Sequence, residues 1–299
     1  MTSAFMRSRL KRQRGIWSKG VVHFAVCGFL VYITTSANAA SNGGKSVCDI
    51  KQLEVSIGAL QNPEWKVRSE AYYRIITLGS EDLSYIPRPL TQLLSICQDR
   101  ADAIKISLIR LLERENLMVQ DYHRTGRRFG EEYSNYYGDV ISAVSSLKDK
   151  RAINALLGAI SSGGMATRGL ADLAPESLEP VLTKLNDNDP LVRSCALLVL
   201  EEMVARVNQD KLKDGFNRSK IKAAALKAAT DEDPVVRKSA VSVLAELGDA
   251  DVMSVIEKLA DHDPFFLAGQ AEGGKDLYIV RKAAREALAE LRSKRKQPK

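Results

Sequence analysis

The chain has 299 residues, a formal net charge of +7, four cysteines and three histidines, with 27% charged and 45% hydrophobic residues. That hydrophobic share excludes a disordered tail, and four cysteines over this length exclude a disulfide-dense miniature domain. The positive charge does not indicate nucleic-acid binding, because six of the cations (Arg7, Arg9, Lys11, Arg12, Arg14 and Lys19) lie within residues 1–39, where there is no acid. Without that segment the net charge falls to +1.

Residues 1–39 have three parts: the basic stretch, an apolar run from Val21 to Ile33, and small residues ending Ala37-Asn38-Ala39. This is the layout of a secretory signal peptide, with cleavage expected after Ala39. The run is short for a membrane span. The expected product is periplasmic or secreted, with an uncleaved membrane anchor as the alternative. Residues 40–47 read as a flexible leader. Cys48, Cys97 and Cys195 then remain in a compartment that permits disulfides. Cys48 opens the first helix of one expected pair and Cys97 closes the first helix of the next. If such helices stack in parallel, the two sulfurs lie too far apart to join; Cys195 reads as a core residue, and whether all three thiols are reduced is left open.

The first helix is expected over Asp49–Gln61 and the second from Pro63 to Leu78, stopped by Gly79. Pro87 and Pro89 begin a third helix, and its partner runs from Ala101 through Leu112. Residues 116–138 break the pattern. They hold Tyr122, Phe129, Tyr133, Tyr136 and Tyr137 beside Arg124, Arg127 and Arg128, and read as an insertion that either binds a partner or patches an irregular repeat. Whether residues 114–124 supply a helix of the first row is left open. A helix over Val140–Leu147 follows, then Lys148–Ala152 leads into one through Ile160, and Met165–Leu173 forms a short one.

From residue 187 the chain copies itself. Asp187-Asn188-Asp189-Pro190-Leu191-Val192-Arg193 recurs as Asp231-Glu232-Asp233-Pro234-Val235-Val236-Arg237, and Arg281 keeps the 44-residue interval. Looser copies lie at Asn62 to Arg68 and Asp99 to Lys105. The aspartate-proline turn starts a helix, because a carboxylate accepts orphan amide hydrogens and proline presets the first helical φ. Ala196, Val199, Leu200 and Met203, and likewise Ala240, Val243, Leu244 and Leu247, fall on one helical stripe and are expected in the core. In the last copy, residues 261–275 form a loop insertion. Its Phe265 and Phe266 either cap the open end or touch a partner. A basic tail covers 293–299.

This pattern resembles HEAT repeats, in particular the bacterial HEAT-like units named after phycobilisome lyases, from about residue 48 onward. The resemblance implies an all-α superhelical solenoid of about six helix pairs over 48–292. It also implies that Asn62, Arg68, Asp99, Lys105, Arg168, Asp187, Arg193, Asp231, Arg237 and Arg281 form a ladder of hydrogen bonds between repeats. In such solenoids the second helices line the concave binding surface, which makes Tyr72, Tyr73, Arg127, Arg128, Phe129, Lys238 and Glu246 the candidate partner contacts. Glu202, Glu246 and Glu290 would stack as an acidic column beside Ser194, Lys238 and Lys282.

No zinc spacing, calcium loop or phosphate loop is present. Ser145-Ser146-Leu147-Lys148 matches a nucleophile pattern whose companion motifs are missing. The expected function is therefore an exported scaffold that binds another protein, as a monomer, without catalysis, cofactor or nucleic acid. The alternatives are a lyase-like or other enzyme that uses residues 116–138, and a structural envelope component.

Overall fold

The computed structural model describes residues 48–78, 87–209 and 217–296, the side chains of 87–89 and 294–296 excepted. The expectations of a signal peptide, a leader and the Gly79 stop lie outside the described residues, as does most of the linker after Asn208. Thirteen α-helices follow one another among the described residues: α1 (Ile50–Ala59), α2 (Trp65–Thr77), α3 (Pro87–Ile96), α4 (Ala101–Thr125), α5 (Glu131–Ser146), α6 (Ile153–Gly158), α7 (Gly164–Asp172), α8 (Leu178–Thr183), α9 (Pro190–Asn208), α10 (Arg218–Ala228), α11 (Pro234–Leu247), α12 (Met253–His262) and α13 (Ile279–Lys296). Extended pairing is limited among these residues to one antiparallel bridge between Leu267 and Leu277.

The helices stack in two rows. α5, α7, α9, α11 and α13 each pack on the next, and α6, α8, α10 and α12 back their respective successors. Each helix therefore buries one stripe against its pair and its neighbours, which is the logic of a helical solenoid. The expected core stripe is observed: Ala196, Val199, Leu200 and Met203 of α9 and Ala240, Val243 and Leu244 of α11 are all fully buried. Burying a side chain the size of Leu200 contributes about 1.5–3 kcal/mol, so the stripes carry much of the fold.

The turns start helices through local chemistry, with one reassignment. Pro190 and Pro234 occupy the first helical positions as expected, but the capping carboxylates belong to Asp189, which accepts from the Leu191 amide, and Asp233, which accepts from those of Val235 and Val236. Asp187 and Asp231 instead each accept a hydrogen bond from the amide two residues on. That ties the turn and, in Asp231, leaves the outer side of the carboxylate for a neighbour.

The expected insertion at 116–138 is helical over most of its length. α4 continues through Asn116 to Thr125, a helix of 25 residues, because no glycine or proline interrupts it. Gly126 then stops it at a left-handed φ of 66°, a conformation glycine adopts without steric cost. α5 begins at Glu131, where Tyr133, Tyr136 and Tyr137 form a buried helical stripe. α4 packs against α3 on one side and against α5 and α6 on the other. One continuous helix thus stands behind α5, as α6 stands behind α7, and residues 114–124 are part of it.

The disulfide expectation was wrong. Cys48 and Cys97 are joined, with Cα atoms 5.1 Å apart. Cys48 lies just before α1 and Cys97 just after α3, so the start of α1 meets the end of α3 rather than its beginning. Glu54 of α1 also pairs at 2.8 Å with Arg100, just beyond α3. Parallel in-register stacking of these first helices, on which the expectation rested, is absent from this end of the array. Cys195 is free and buried, and burial, with the nearby charge of Asp189, pushes its thiol up to about 11.

Candidate functional site

Three arginines at the starts of second-row helices use the same two-part grip. Arg193 donates through Nη1 to the carbonyls of Asp187 and Asn188 in its own turn, at 3.0 and 3.2 Å. Its other edge donates to both carboxylate oxygens of Asp231 in the next turn, at 3.0 and 2.8 Å. Arg237 likewise holds the carbonyls of Asp231 and Glu232 and donates to both oxygens of Asp263, at 2.6 and 3.0 Å. Arg68 holds the carbonyls of Asn62 and Pro63, and its other edge meets Glu115 of α4 at 2.5 and 3.0 Å. A planar guanidinium suits such two-sided recognition, which an ammonium could not reproduce.

The pairing therefore differs from a link between the acid and the arginine six residues on. Each arginine clamps its own turn through backbone carbonyls, and Arg193 and Arg237 reach forward for their carboxylate. Asp263 was not among the candidates. Phe265 donates its amide to Asp263 as Asp233 does to Asp231, so Asp263, two residues beyond Asp261, is the equivalent position. α12 runs through His262 and shifts the register. Arg281 donates to the Asp263 carbonyl at 2.6 Å and lies over the Tyr278 ring.

Asp99, Lys105 and Arg168 stand apart from this scheme. Asp99 is exposed in a short 3-10 turn and Lys105 is half-buried on α4. The cross-link in that region is Arg151, which pairs at 2.6 Å with Asp102 of α4 and with Asp149. Arg168 is exposed on α7. Arg206 of α9 makes the link there, to Asp172 of α7 and to Glu202.

The Arg68 link is the most buried. Arg68 and Glu115 have side-chain exposures of 2% and 0%. Glu115 also accepts from the hydroxyls of Tyr133 at 2.8 Å and Tyr136 at 3.1 Å, so its two oxygens receive four donors. Next to it, Asn116 donates to the Ala155 carbonyl at 2.7 Å and accepts from Tyr137 at 2.7 Å. Burial pulls the Arg68 guanidinium down, but the hydrogen bond and charge of Glu115 outweigh it and hold it above its ordinary value. Burial first, then the Glu115 charge, raise the Tyr133 and Tyr136 phenols far above theirs. Burial likewise pushes Tyr137 up to about 12.

This network removes two of the expected partner anchors from the surface. Tyr72 is fully buried and donates to the Asp139 carbonyl at 2.9 Å, and half-buried Tyr73 donates to the Asp139 carboxylate at 2.7 Å. Both fasten α2 to α5. Burial holds the Asp139 carboxyl above the ordinary range, with the Tyr73 hydrogen bond opposing. Phe129 is stacked between Tyr122, at 4.1 Å, and Tyr133, at 4.5 Å. Arg127 and Arg128 remain exposed in the loop beside it.

The proposed charge columns are interrupted. Ser194 is buried and shares a 2.8 Å hydrogen bond with Ser239 between α9 and α11. Lys238 is half-buried; burial lowers its ammonium below the ordinary value, Glu286 opposes that and Lys282 adds to it. Glu246 accepts from the Asn208 amide at 3.2 Å.

In the loop at 261–275, Phe265 is half-buried, whereas the next two residues are exposed. Phe266 is 47% exposed and Leu267 38% exposed. The segment is a small hairpin: Leu267 and Leu277 exchange both backbone hydrogen bonds at 2.9 Å, and Ala271 donates to the Lys275 carbonyl at 2.8 Å. Phe266 leans on Tyr278, with ring centres 5.5 Å apart, so its position is fixed from behind while its outer face is bare. Among the described residues, no group of three or more His, Cys, Asp or Glu is placed to hold a metal ion. No helix there is long and apolar enough to cross a membrane.

No family model matches the chain, and no curated protein matches it. Among solved structures, it is similar to a designed armadillo repeat protein at 16% identity and a TM-score of 0.38, over 80% of this chain and 99% of the other. An engineered protein aligns at 16% identity and a TM-score of 0.35, over 81% and 96%. A second designed armadillo repeat protein, in complex with the peptide (KR)4, aligns at 15% identity and a TM-score of 0.38, over 79% and 99%. The solenoid assignment rests on the helix stacking described above.

Proposed function

We propose that this protein is an exported, non-catalytic solenoid scaffold that binds another protein as a monomer, and that the 263–278 hairpin is its main contact. The observation that carries this reading is the bare face of Phe266 and Leu267 on a hairpin held by its own hydrogen bonds. Large apolar side chains presented on a rigid support favour binding, because little ordering entropy remains to be lost. Asp263 at the hairpin base is gripped by Arg237 and Arg281, which couples the hairpin to the stacked rows. Export is supported by the basic, apolar and small-residue succession before residue 40 and by the Cys48–Cys97 bond, since disulfides persist in oxidising compartments.

Affinity recovery from an envelope extract tests this with the wild type and a Phe266→Ser/Leu267→Ser variant. One stoichiometric partner retained by the wild type and lost from the variant is expected. Equal recovery by both would move the contact away from the hairpin, and enrichment of nothing by either would overturn the scaffold reading.

A further inference from the structure

We infer that the Cys48–Cys97 disulfide is a redox latch that closes the first helix onto the array, and that reducing it frees α1 while the remaining stack stays formed. Among the described residues α1 begins the array, and a repeat with a neighbour on one side only is the weakest unit of a solenoid. α1 shows this weakness. Of its ten residues only Leu53 and Ser56 are buried, and Ile50 and Val55 are 45% and 64% exposed. Its ion pair to Arg100 is about half exposed on both sides, which makes it worth little.

The two ends of α1 are held differently. At its far end, the turn is clamped from inside: Arg68 donates to the carbonyls of Asn62 and Pro63, and Arg114 to those of Gln61 and Asn62. At its near end the strong tie is covalent. The latch therefore has a hinge at residues 61–63 and a catch at Cys48. Cutting the catch releases one end and leaves the hinge in place.

The chemistry is thiol–disulfide exchange with a dithiol. Cys48 is half-buried and Cys97 is only 3% exposed, so an incoming thiolate attacks the Cys48 sulfur. The S–S bond breaks, its electron pair leaves on the Cys97 sulfur, and that thiolate takes a proton from water. The second thiolate of the dithiol then attacks its own sulfur in the mixed disulfide and expels the Cys48 thiolate, which is protonated in turn. Two electrons and two protons pass from the dithiol to the protein, and a disulfide carrier drives the reverse. Cys195 lies buried in the core of α9 and takes no part.

Hydrogen exchange read by mass spectrometry on the full chain, before and after complete reduction by dithiothreitol, tests the latch. Thiol alkylation counts the reduced cysteines in parallel. Amides of residues 50–60 are expected to exchange at least tenfold faster after reduction, with those of 190–208 and 234–247 unchanged. A Cys48→Ser/Cys97→Ser variant should show fast exchange without reductant and no response to it, whereas Cys195→Ser should respond like the wild type. Cys48 and Cys97 found free before reduction, unchanged exchange of 50–60 after full reduction, or an equal loss of protection along the whole array would each overturn the inference.

Discussion

The two ends of the array solve the same problem with different partners. Toward the C-terminus, Arg193 and Arg237 take an aspartate from the next turn, and those pairs keep partial access to water, with Asp231 16% exposed. Toward the N-terminus, Arg68 takes Glu115 from the middle of a helix, and three tyrosines and an asparagine close over the pair. A repeated turn can therefore be joined to its neighbour by a periodic rung or by a single buried knot. The rung is replaceable one repeat at a time. The knot is not, because a fully buried charge that loses its partner has no solvent to turn to.

Cutting each kind of link measures that difference. Glu115→Ala is expected to have the largest effect, a loss of about 3–5 kcal/mol, the usual cost of leaving one member of a buried ion pair alone. Chemical denaturation should show the early transition in the N-terminal helices; a loss no greater than that of a surface substitution would show that water reaches Arg68. Gly158→Ala approaches the same knot from α6. A Cβ there would lie 2.5 Å from the Asn116 amide nitrogen, which donates to the Ala155 carbonyl while the amide oxygen accepts from Tyr137, so a cost of about 1–3 kcal/mol is expected. A melting temperature equal to that of the wild type would show that Asn116 moves freely.

On the rung side, Asp231→Ala should cost about 1–3 kcal/mol, because it leaves Arg193 without its carboxylate. Arg193→Ala combined with Asp231→Ala supplies the check: the two losses should be far from additive, and simple additivity would mean that the pair does not interact.

Titration separates the two regions without mutation. Burial pushes the Asp231 carboxyl up, but the hydrogen bonds from Arg193 and the Asp233 amide, together with the charges of Arg193 and Arg237, outweigh it and hold the group below its ordinary value. A depressed carboxyl stabilises the fold above its unfolded value of about 3.9, and that contribution is lost as pH falls below it. Burial and the Glu115 charge raise the knot's tyrosines, Tyr137 to about 12. A raised phenol stabilises fully below the unfolded value of about 10, and this is lost as pH climbs from there through the folded value. Hydrogen exchange, corrected for the intrinsic rate at each pH, should therefore show α9 to α11 loosening first in acid and α4 to α5 first in alkali. The reverse order would contradict the assigned partners. The smallest effect is expected from Arg168→Ala, whose side chain is exposed on α7, within about 0.5 kcal/mol; a larger loss by thermal melting would restore it to the inter-repeat links.

By itself the sequence determined what depends on neighbours along the chain. The 44-residue interval, the Asp-Pro helix starts and the buried stripes of α9 and α11 arise from capping, proline geometry and helical periodicity, each spanning a turn or two. The repeated arginines were legible for the same reason, although their carboxylate partners were not. Only the tertiary structure decided whatever joined distant residues. It let Glu115 rather than Asp99 meet Arg68, put Asp263 in the place of Asp261, buried Tyr72 and Tyr73 against Asp139, and left Phe266 and Leu267 bare. It also brought Cys48 to Cys97, 49 residues away along the chain, with Cα atoms 5.1 Å apart. A helix carries its periodicity in its own residues; the face on which a neighbour lands depends on packing that no short stretch of sequence contains.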